Sequence, residues 1–502
     1  MFAPRVAVST LSSSAFATLL AMGAFSAITL GTAPARANPT LETLGGLGAP
    51  NPFTSRLLAT GAEAAYFNPA LLPHVDEGFS IGFFVLSDQL DVTLNRRPQG
   101  ADISDSIYNA FIDDADGNSR PLDFRPLPTA DLPERQGDDR DTLRSYITIG
   151  VVKRLICDRL VVGVYTVLPT TSFQEQGSRF PDEREQFFSN GVAHELYGDR
   201  LGMMTVVVGV GGVITDWLSW GAGFTLGLST TTVNPVYVPD AADQREILIT
   251  TDTRVDTSLA PHMALTLSPS ERVRVAMSVH TASRSETRGT NRLKFWNYDY
   301  DEGEDAVVQE FKFVNGFDPL TLAIGASVAF PNSDGSAWRV AGEMRWRSWS
   351  DYVDRIAKHP DIAWSDTIAL ALGGRYEDDG TTFHVDLGWT PSPVPDQSGA
   401  ENYVDEDRVS ASAGFETDID VLGVTIRGAI GLQLHRLLPR ATSKRDEAAF
   451  PVRDEFPDEA YDIFTGKSFD EAAGLQTNNP GWPGWKSSGW LLGAGVSLKV
   501  GL

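Results

Sequence analysis

The side chains of this sequence that could do chemistry are few and badly placed for catalysis. His280, His384 and His435 fall on three separate segments of alternating polarity, so no two of them have metal-ligand spacing on one element. There is no G-x-S-x-G elbow to present a serine nucleophile. Cys157 is the one cysteine, which excludes an intramolecular disulfide and a thiolate cluster. Asp113-Asp114-Ala115-Asp116-Gly117-Asn118 has the look of a calcium loop, but its glycine comes early and Arg125 stands where the bidentate glutamate belongs. No nucleophile–base pair emerges. The chain reads as a non-enzyme with no cofactor and no metal.

Binding chemistry is better represented. Arg274, Arg345, Arg347, Arg375 and Arg427 all sit at one phase of strand-like alternation. A guanidinium fork matches a carboxylate with two hydrogen bonds, so this set could hold a fatty-acid head group. The same phase also carries Glu343, Glu377, Asp386 and Glu416. Interior charges are seldom left unpaired, so an Arg–Glu lattice bracing the wall is the competing and favoured reading for most of them.

These residues need elements to position them. The chain opens with a secretory leader: Arg5, an apolar stretch from Ala15 to Leu30, and Ala35-Arg36-Ala37 as a cleavage site. Residues 1–37 are therefore expected to be removed. The whole chain carries −25, and loss of Arg5 and Arg36 takes it to −27. That acidity argues against a nucleic-acid partner. Beyond the leader, the sequence has no apolar run of the roughly 18 residues a spanning helix needs. A mean hydropathy of −0.14 is still compatible with membrane strands, which expose only every second residue to lipid.

Alternation with period two dominates from Phe79 onward. Leu218, Trp220, Ala222, Phe224, Leu226 and Leu228 share one face, with Ser219, Gly221, Gly223, Thr225 and Gly227 on the other. Leu320 to Phe330 and Trp490 to Leu502 repeat the pattern. Other segments of this kind include Ser145–Arg154, Leu160–Leu168, Trp338–Trp349 and Val424–Leu437, giving fourteen strands in all. Short links such as Asp378-Asp379-Gly380 alternate with long stretches such as Asn95–Thr142, which holds eleven acidic residues. Ser285–Asp318 reads as another long loop. Ile103, Ile107, Phe111 and Ile112 suggest an apolar helical stripe within Asn95–Thr142. An even number of strands with alternating short and long connections is the pattern of a bacterial outer-membrane barrel. The fold class expected is all-β: a fourteen-stranded antiparallel transmembrane β-barrel, residues 78–502, with long extracellular loops.

Before the strands lies a Gly-, Pro- and Ala-rich segment, residues 38–77, containing Gly61 to Leu72, GAEAAYFNPALL. This stretch resembles the NPA-bearing N-terminal hatch of the FadL/TodX family, outer-membrane transporters of long-chain fatty acids and hydrocarbons. Trp349-Ser350-Asp351-Tyr352 and Pro391-Ser392-Pro393-Val394-Pro395-Asp396 are similar to two further stretches of that family, in the same order. The resemblance implies a hatch plugging the barrel, with Asn68, Pro69 and Ala70 in a gating role. It implies passive uptake in which loops capture a hydrophobic molecule, the hatch shifts, and the ligand leaves through the wall near a kink, for which Gly163 and Pro169 are candidates. The expected surroundings are outer-membrane lipid and the barrel insertion machinery, with the chain acting as a monomer. Two other classes stand beside this one: a non-transporting barrel that scaffolds surface or secretion machinery, and an outer-membrane lipase with a triad at the rim.

Overall fold

In the computed structural model the described residues are 39–501, apart from 96–110, 114–118, 122–134, 137–139, 157–158, 171–191, 239–247, 296–306, 355–356, 398–400, 422, 445–460, 463–466 and 469–480. The alternating segments form strands that pair in a ring. In chain order these are β1 (Gly78–Leu94), β2 (Arg140–Ile156), β3 (Leu160–Pro169), β4 (Thr205–Thr215), β5 (Leu218–Val238), β6 (Asp252–Ser270) and β7 (Val273–His280). Next come β8 (Thr321–Pro331), β9 (Ala337–Arg347), β10 (Thr367–Asp378), β11 (Thr381–Thr390), β12 (Arg408–Val421), β13 (Val424–Ser443) and β14 (Gly484–Val500). Each pairs antiparallel with its predecessor and successor, and the ring closes where β1 meets β14, from Phe79↔Val500 to Leu94↔Trp485. Closure leaves no free sheet edge in the wall, which a lipid environment requires.

Alternation decides which face meets lipid. On β14, Trp490, Leu492, Val496 and Leu498 point outward, with the last three at least half exposed, while Leu491 between them is fully buried. On β11, Phe383, Val385, Leu387 and Trp389 do the same. From Trp490 to Leu498 the outward apolar row rises about 20 Å, taking ~3.3 Å per residue and a tilt of ~40°. Trp217, Phe330, Trp338 and Phe383 ring the short-turn end of the band, as interfacial aromatics do. The links β10–β11 and β12–β13 are tight, with positive φ at Asp379, Gly380 and Gly423. The opposite end carries the long connections.

Several strands outrun the alternating apolar core. β1 reaches Leu94, β2 begins at Arg140, and β13 reaches Ser443. The extra residues of β2 and β13 are mostly polar and carry no clear period-two signal, while at the end of β1 Leu90, Val92 and Leu94 keep the alternation but turn inward and are buried. Trp338–Trp349 is shorter than expected: β9 stops at Arg347, and Trp349–Asp351 is a 3₁₀ turn.

The expected loop Ser285–Asp318 is instead a hairpin, Ser283–Phe295 paired with Val307–Asp318. It was illegible because SRSETRGTNRLKF is polar on both faces. The first of its strands crosses to β5 and pairs with it in parallel, Thr287↔Thr230 through Phe295↔Val238. β4 leaves that edge open beyond Val206↔Leu226, and an unpaired backbone edge recruits a strand. The helical stripe is also overturned where the structure describes it. Phe111–Asp113 is a strand paired with Ser119–Pro121, while Ile103, Ile107 and most of the calcium-like run lie outside the described residues.

Residues 39–77 fold inside the ring as short pieces: α1 (Pro39–Leu44), α2 (Ser55–Leu58), α3 (Ala64–Phe67) and a 3₁₀ turn, Pro69–His74. None is long enough to be stable alone. Leu41, Leu44, Leu47, Phe67 and Leu72 are at most 2% exposed and pack on the inward faces of Phe84, Tyr146, Tyr165 and Val167. This plug is the hydrophobic core of the molecule.

Candidate functional site

The site is the seam between plug and wall, together with the mouth above it. Asn68 is fully buried. Its Nδ2 donates to Arg56 O at 2.7 Å and to Thr266 Oγ1 of β6 at 3.0 Å, and its Oδ1 accepts from Ala70 N at 3.1 Å. One side chain thus caps the 3₁₀ turn, ties two plug pieces together and anchors them to the wall. Pro69 presses on a bare patch of wall. A Cβ on Gly211 would lie 2.2 Å from Pro69 O, and one on Gly221 would lie 2.2 Å from its carbonyl carbon. Only glycine lets the turn dock so closely. Ala70 is fully buried.

The charged seam contains residues that the sequence did not single out, above all Glu42 and Arg56 of the plug. Arg56 donates to Glu42 at 2.7 Å and to Glu343 of β9 at 3.1 Å. Arg347 donates to Glu42 Oε2 at 2.8 Å and to its backbone oxygen at 3.1 Å. Arg345 lies 3.4 Å from Glu343 and 3.9 Å from Glu42. All five side chains are less than a tenth exposed. Glu42 and Arg56 do not stand out by strand periodicity, because the plug has none. A second clasp is Asp386 of β11, which accepts from Asn51 Nδ2 at 2.8 Å, Phe53 N at 2.8 Å, Thr54 N at 3.2 Å and Thr54 Oγ1 at 2.9 Å. His262 and His280 stack with ring centroids 4.9 Å apart, and His262 Nε2 lies 2.7 Å from Ala65 O.

The five arginines proposed for a carboxylate are therefore engaged. Arg345 and Arg347 hold the plug as described. Arg274 donates to Leu57 O at 3.0 Å. Arg375 binds Asn51 Oδ1 at 3.1 Å, Glu377 at 3.2 Å and Leu58 O. Arg427 sits by the short-turn end, a third exposed, on Asp418 at 2.7 and 3.0 Å. They do not converge on one point. Plug carbonyls, carboxylates and amides take up part of the hydrogen-bonding and ion-pairing capacity of Arg274, Arg345, Arg347 and Arg375, while Nε of Arg274, Arg345 and Arg347 makes no hydrogen bond among the described residues. Gly163 is paired on both sides, to Val152 and Gly209, and its bare α-carbon accommodates Leu72 of the plug. Pro169 is the last residue of β3, opposite Tyr146. The β3 ladder is continuous at Gly163.

At the long-loop end, chain segments interlock over the plug. Ala193–His194 pairs in parallel with Tyr403–Val404. Tyr352 donates to Glu195 at 2.9 Å, Arg200 binds Glu195 at 3.2 Å, and Tyr403 donates to Asp354 at 3.2 Å. Beneath them lies an aromatic cluster: Phe317, Trp349, Tyr352, Trp364 and Tyr403, with Tyr352 and Trp364 stacked at 3.6 Å. Trp349 and Tyr352 come from the W-S-D-Y stretch, and Val394 of S-P-V-P-D packs on the same cluster. A narrow cavity between cluster and plug is bordered by Glu42, Arg347, Trp349, Asp405, Glu406 and Arg408, among others. Burial, and the neighbouring Glu406 carboxylate, push Asp405 up to about 7.

Neither a family model nor a curated protein matches this sequence. Solved structures do show similarity. A Pseudomonas aeruginosa FadL homologue is 15% identical, with 93% of this chain and 98% of that one covered and a TM-score of 0.46. The P. putida toluene transporter TodX is 11% identical, with 93% and 99% covered and a TM-score of 0.43. The Ralstonia pickettii toluene transporter TbuX is 13% identical, with 94% and 99% covered and a TM-score of 0.42.

Proposed function

We propose that this chain is a plugged bacterial outer-membrane barrel of the FadL/TodX type that admits small hydrophobic molecules passively. Loops at the mouth capture the molecule, the plug shifts, and the molecule leaves sideways through the wall. The observation that carries this reading is the aromatic cluster held by loops at the mouth, bordering the same cavity as Glu42 and Thr43 of the plug. Apolar surface gathered above a plug held by non-covalent contacts suits a hydrophobic passenger. The engaged arginines lend little support to a fatty-acid carboxylate as the bound head group.

A disulfide across the seam tests it. The Cβ of a residue replacing Gly163 would lie 3.2 Å from Ala65 Cβ, a few tenths of an ångström short of disulfide separation. Ala65→Cys with Gly163→Cys, in a Cys157→Ser background, should block uptake of an uncharged lipophile into proteoliposomes when oxidised and restore it when reduced. Uptake that is indifferent to oxidation would remove the plug as the gate. A second reading, a non-transporting scaffold, draws on the narrowness of the cavities among the described residues. It gains if the reduced protein takes up nothing.

A further inference from the structure

We propose that the narrow cavity under the loop cap receives a cationic head group, a primary ammonium on an apolar chain, and disfavours a carboxylate. This rests on the uptake reading and adds the charge class of the passenger. The cavity is bordered by four carboxylates, Glu42, Asp318, Asp405 and Glu406, against two guanidiniums, Arg347 and Arg408. Arg347 is already held by Glu42. Asp405 and Glu406 are 3% and 1% exposed, so water does not screen them.

Their hydrogen bonding is incomplete. Among the described residues, Asp405 Oδ1 and both oxygens of Glu406 accept no hydrogen bond. His194 Nε2 lies 3.2 Å from Glu406 Oε1 but outside hydrogen-bond geometry, and that contact is ionic only with a protonated imidazole. Buried carboxylate oxygens without donors are strongly disfavoured, and an ammonium supplies three N–H donors and a positive charge together. The Tyr197 ring, which also borders the cavity, already has a cation over it, the Arg408 guanidinium at 5.8 Å. The space suits a head group and not a chain. An attached alkyl chain has the aromatic cluster beside it, because Trp349 belongs to both. A carboxylate would meet the Asp405 and Glu406 oxygens, with Arg408 as the lining guanidinium not taken by Glu42.

Asp405 adds a pH signature. Glu406, His194, Arg408 and the Ser392 hydroxyl neighbour its carboxylate, and Arg440 binds its backbone oxygen. With that carboxyl near 7, an arriving cation displaces a proton, so cation affinity rises as pH increases through about 7. The test is calorimetric titration of the detergent-solubilised full chain with dodecylammonium, dodecanol and dodecanoate, which share one chain and differ in head-group charge. Dodecylammonium should bind at least about tenfold more tightly than dodecanoate, more so at pH 8 than at pH 6. In Asp405→Asn/Glu406→Gln, checked as folded by its heat-modifiable gel migration, the preference should fall to threefold or less. Dodecanoate binding as tightly as dodecylammonium to the unaltered chain would overturn the proposal, and so would a preference that survives the double substitution. Dodecanol and dodecanoate binding without dodecylammonium preference would sink the charge assignment and leave the uptake reading standing. No binding by any of the three would sink both.

Discussion

At the scale of single residues, the plug is held by a few side chains that each satisfy several buried groups. Asn68→Ala would strand Arg56 O, Thr266 Oγ1 and Ala70 N together. Leaving such groups unpaired should weaken plug docking by about 2–4 kcal/mol. Hydrogen exchange of residues 64–74 should quicken accordingly while the barrel stays intact, and unchanged protection would contradict the anchoring role. Arg56 is a comparable case. Arg56→Met keeps its stem but takes one donor from each of Glu42 and Glu343, which keep Arg345 and Arg347, a loss of about 2–4 kcal/mol. Adding Glu42→Gln and Glu343→Gln should deepen the loss, because Arg345 and Arg347 then lose their carboxylates. A triple variant more stable than Arg56→Met would show that packing, not charge pairing, sets the effect. Asp405 works the opposite way. Its folded pKa, about 7, is raised above the usual carboxylate range. Its contribution to stability is therefore present in acid and is lost as pH rises through about 7. The Tyr403 and Val404 amides should show higher protection factors, corrected for intrinsic exchange, at pH 5 than at pH 8, and Asp405→Asn should flatten that difference.

At the scale of elements, the plug pieces and the wall strands are fitted to each other. β4 and β5 offer Gly211 and Gly221 where Pro69 docks. Gly211→Val would put a branched side chain where Pro69 O now lies, 2.2 Å from the new Cβ. The barrel ladder between β4 and β5 does not depend on that face, so the wall should assemble and the plug should be displaced. Planar-bilayer recordings should then show larger conductance than the unaltered protein. Equal conductance with normal assembly would mean that the plug tolerates the intrusion. The crossing hairpin is an element whose place depends on another one. It lies in parallel on β5 because β4 ends early, and its Glu286 gathers Arg284, Arg288 and Lys312 at 2.7–3.0 Å.

At the scale of the molecule, the ring of fourteen strands buries charge inside and displays hydrocarbon outside. Such a structure should resist dodecyl sulfate until heated. Unboiled and boiled samples should therefore migrate differently on a gel. A water-soluble monomer rich in helix by circular dichroism would be incompatible with the architecture.

The sequence by itself determined the wall. Period-two rows such as Trp490, Leu492, Ala494, Val496 and Leu498 identify a strand and its lipid face from composition alone, because lipid imposes one rule at every second position. Short turns such as Asp379-Gly380 set the strand order for the same local reason. The interior was settled only by tertiary structure. Arg345 and Arg347 were legible as lumen residues, but whether they face a ligand or a neighbour depends on where Glu42 and Arg56 lie, some 300 residues earlier in the chain. The plug's short pieces carry no periodicity, and their contacts follow from shape: a proline against bare glycines, an aspartate under four donors. The polar hairpin and the unsatisfied carboxylates under the cap were hidden for the same reason. Their placement comes from which edges and charges remain after the barrel closes, and no local run of residues encodes that.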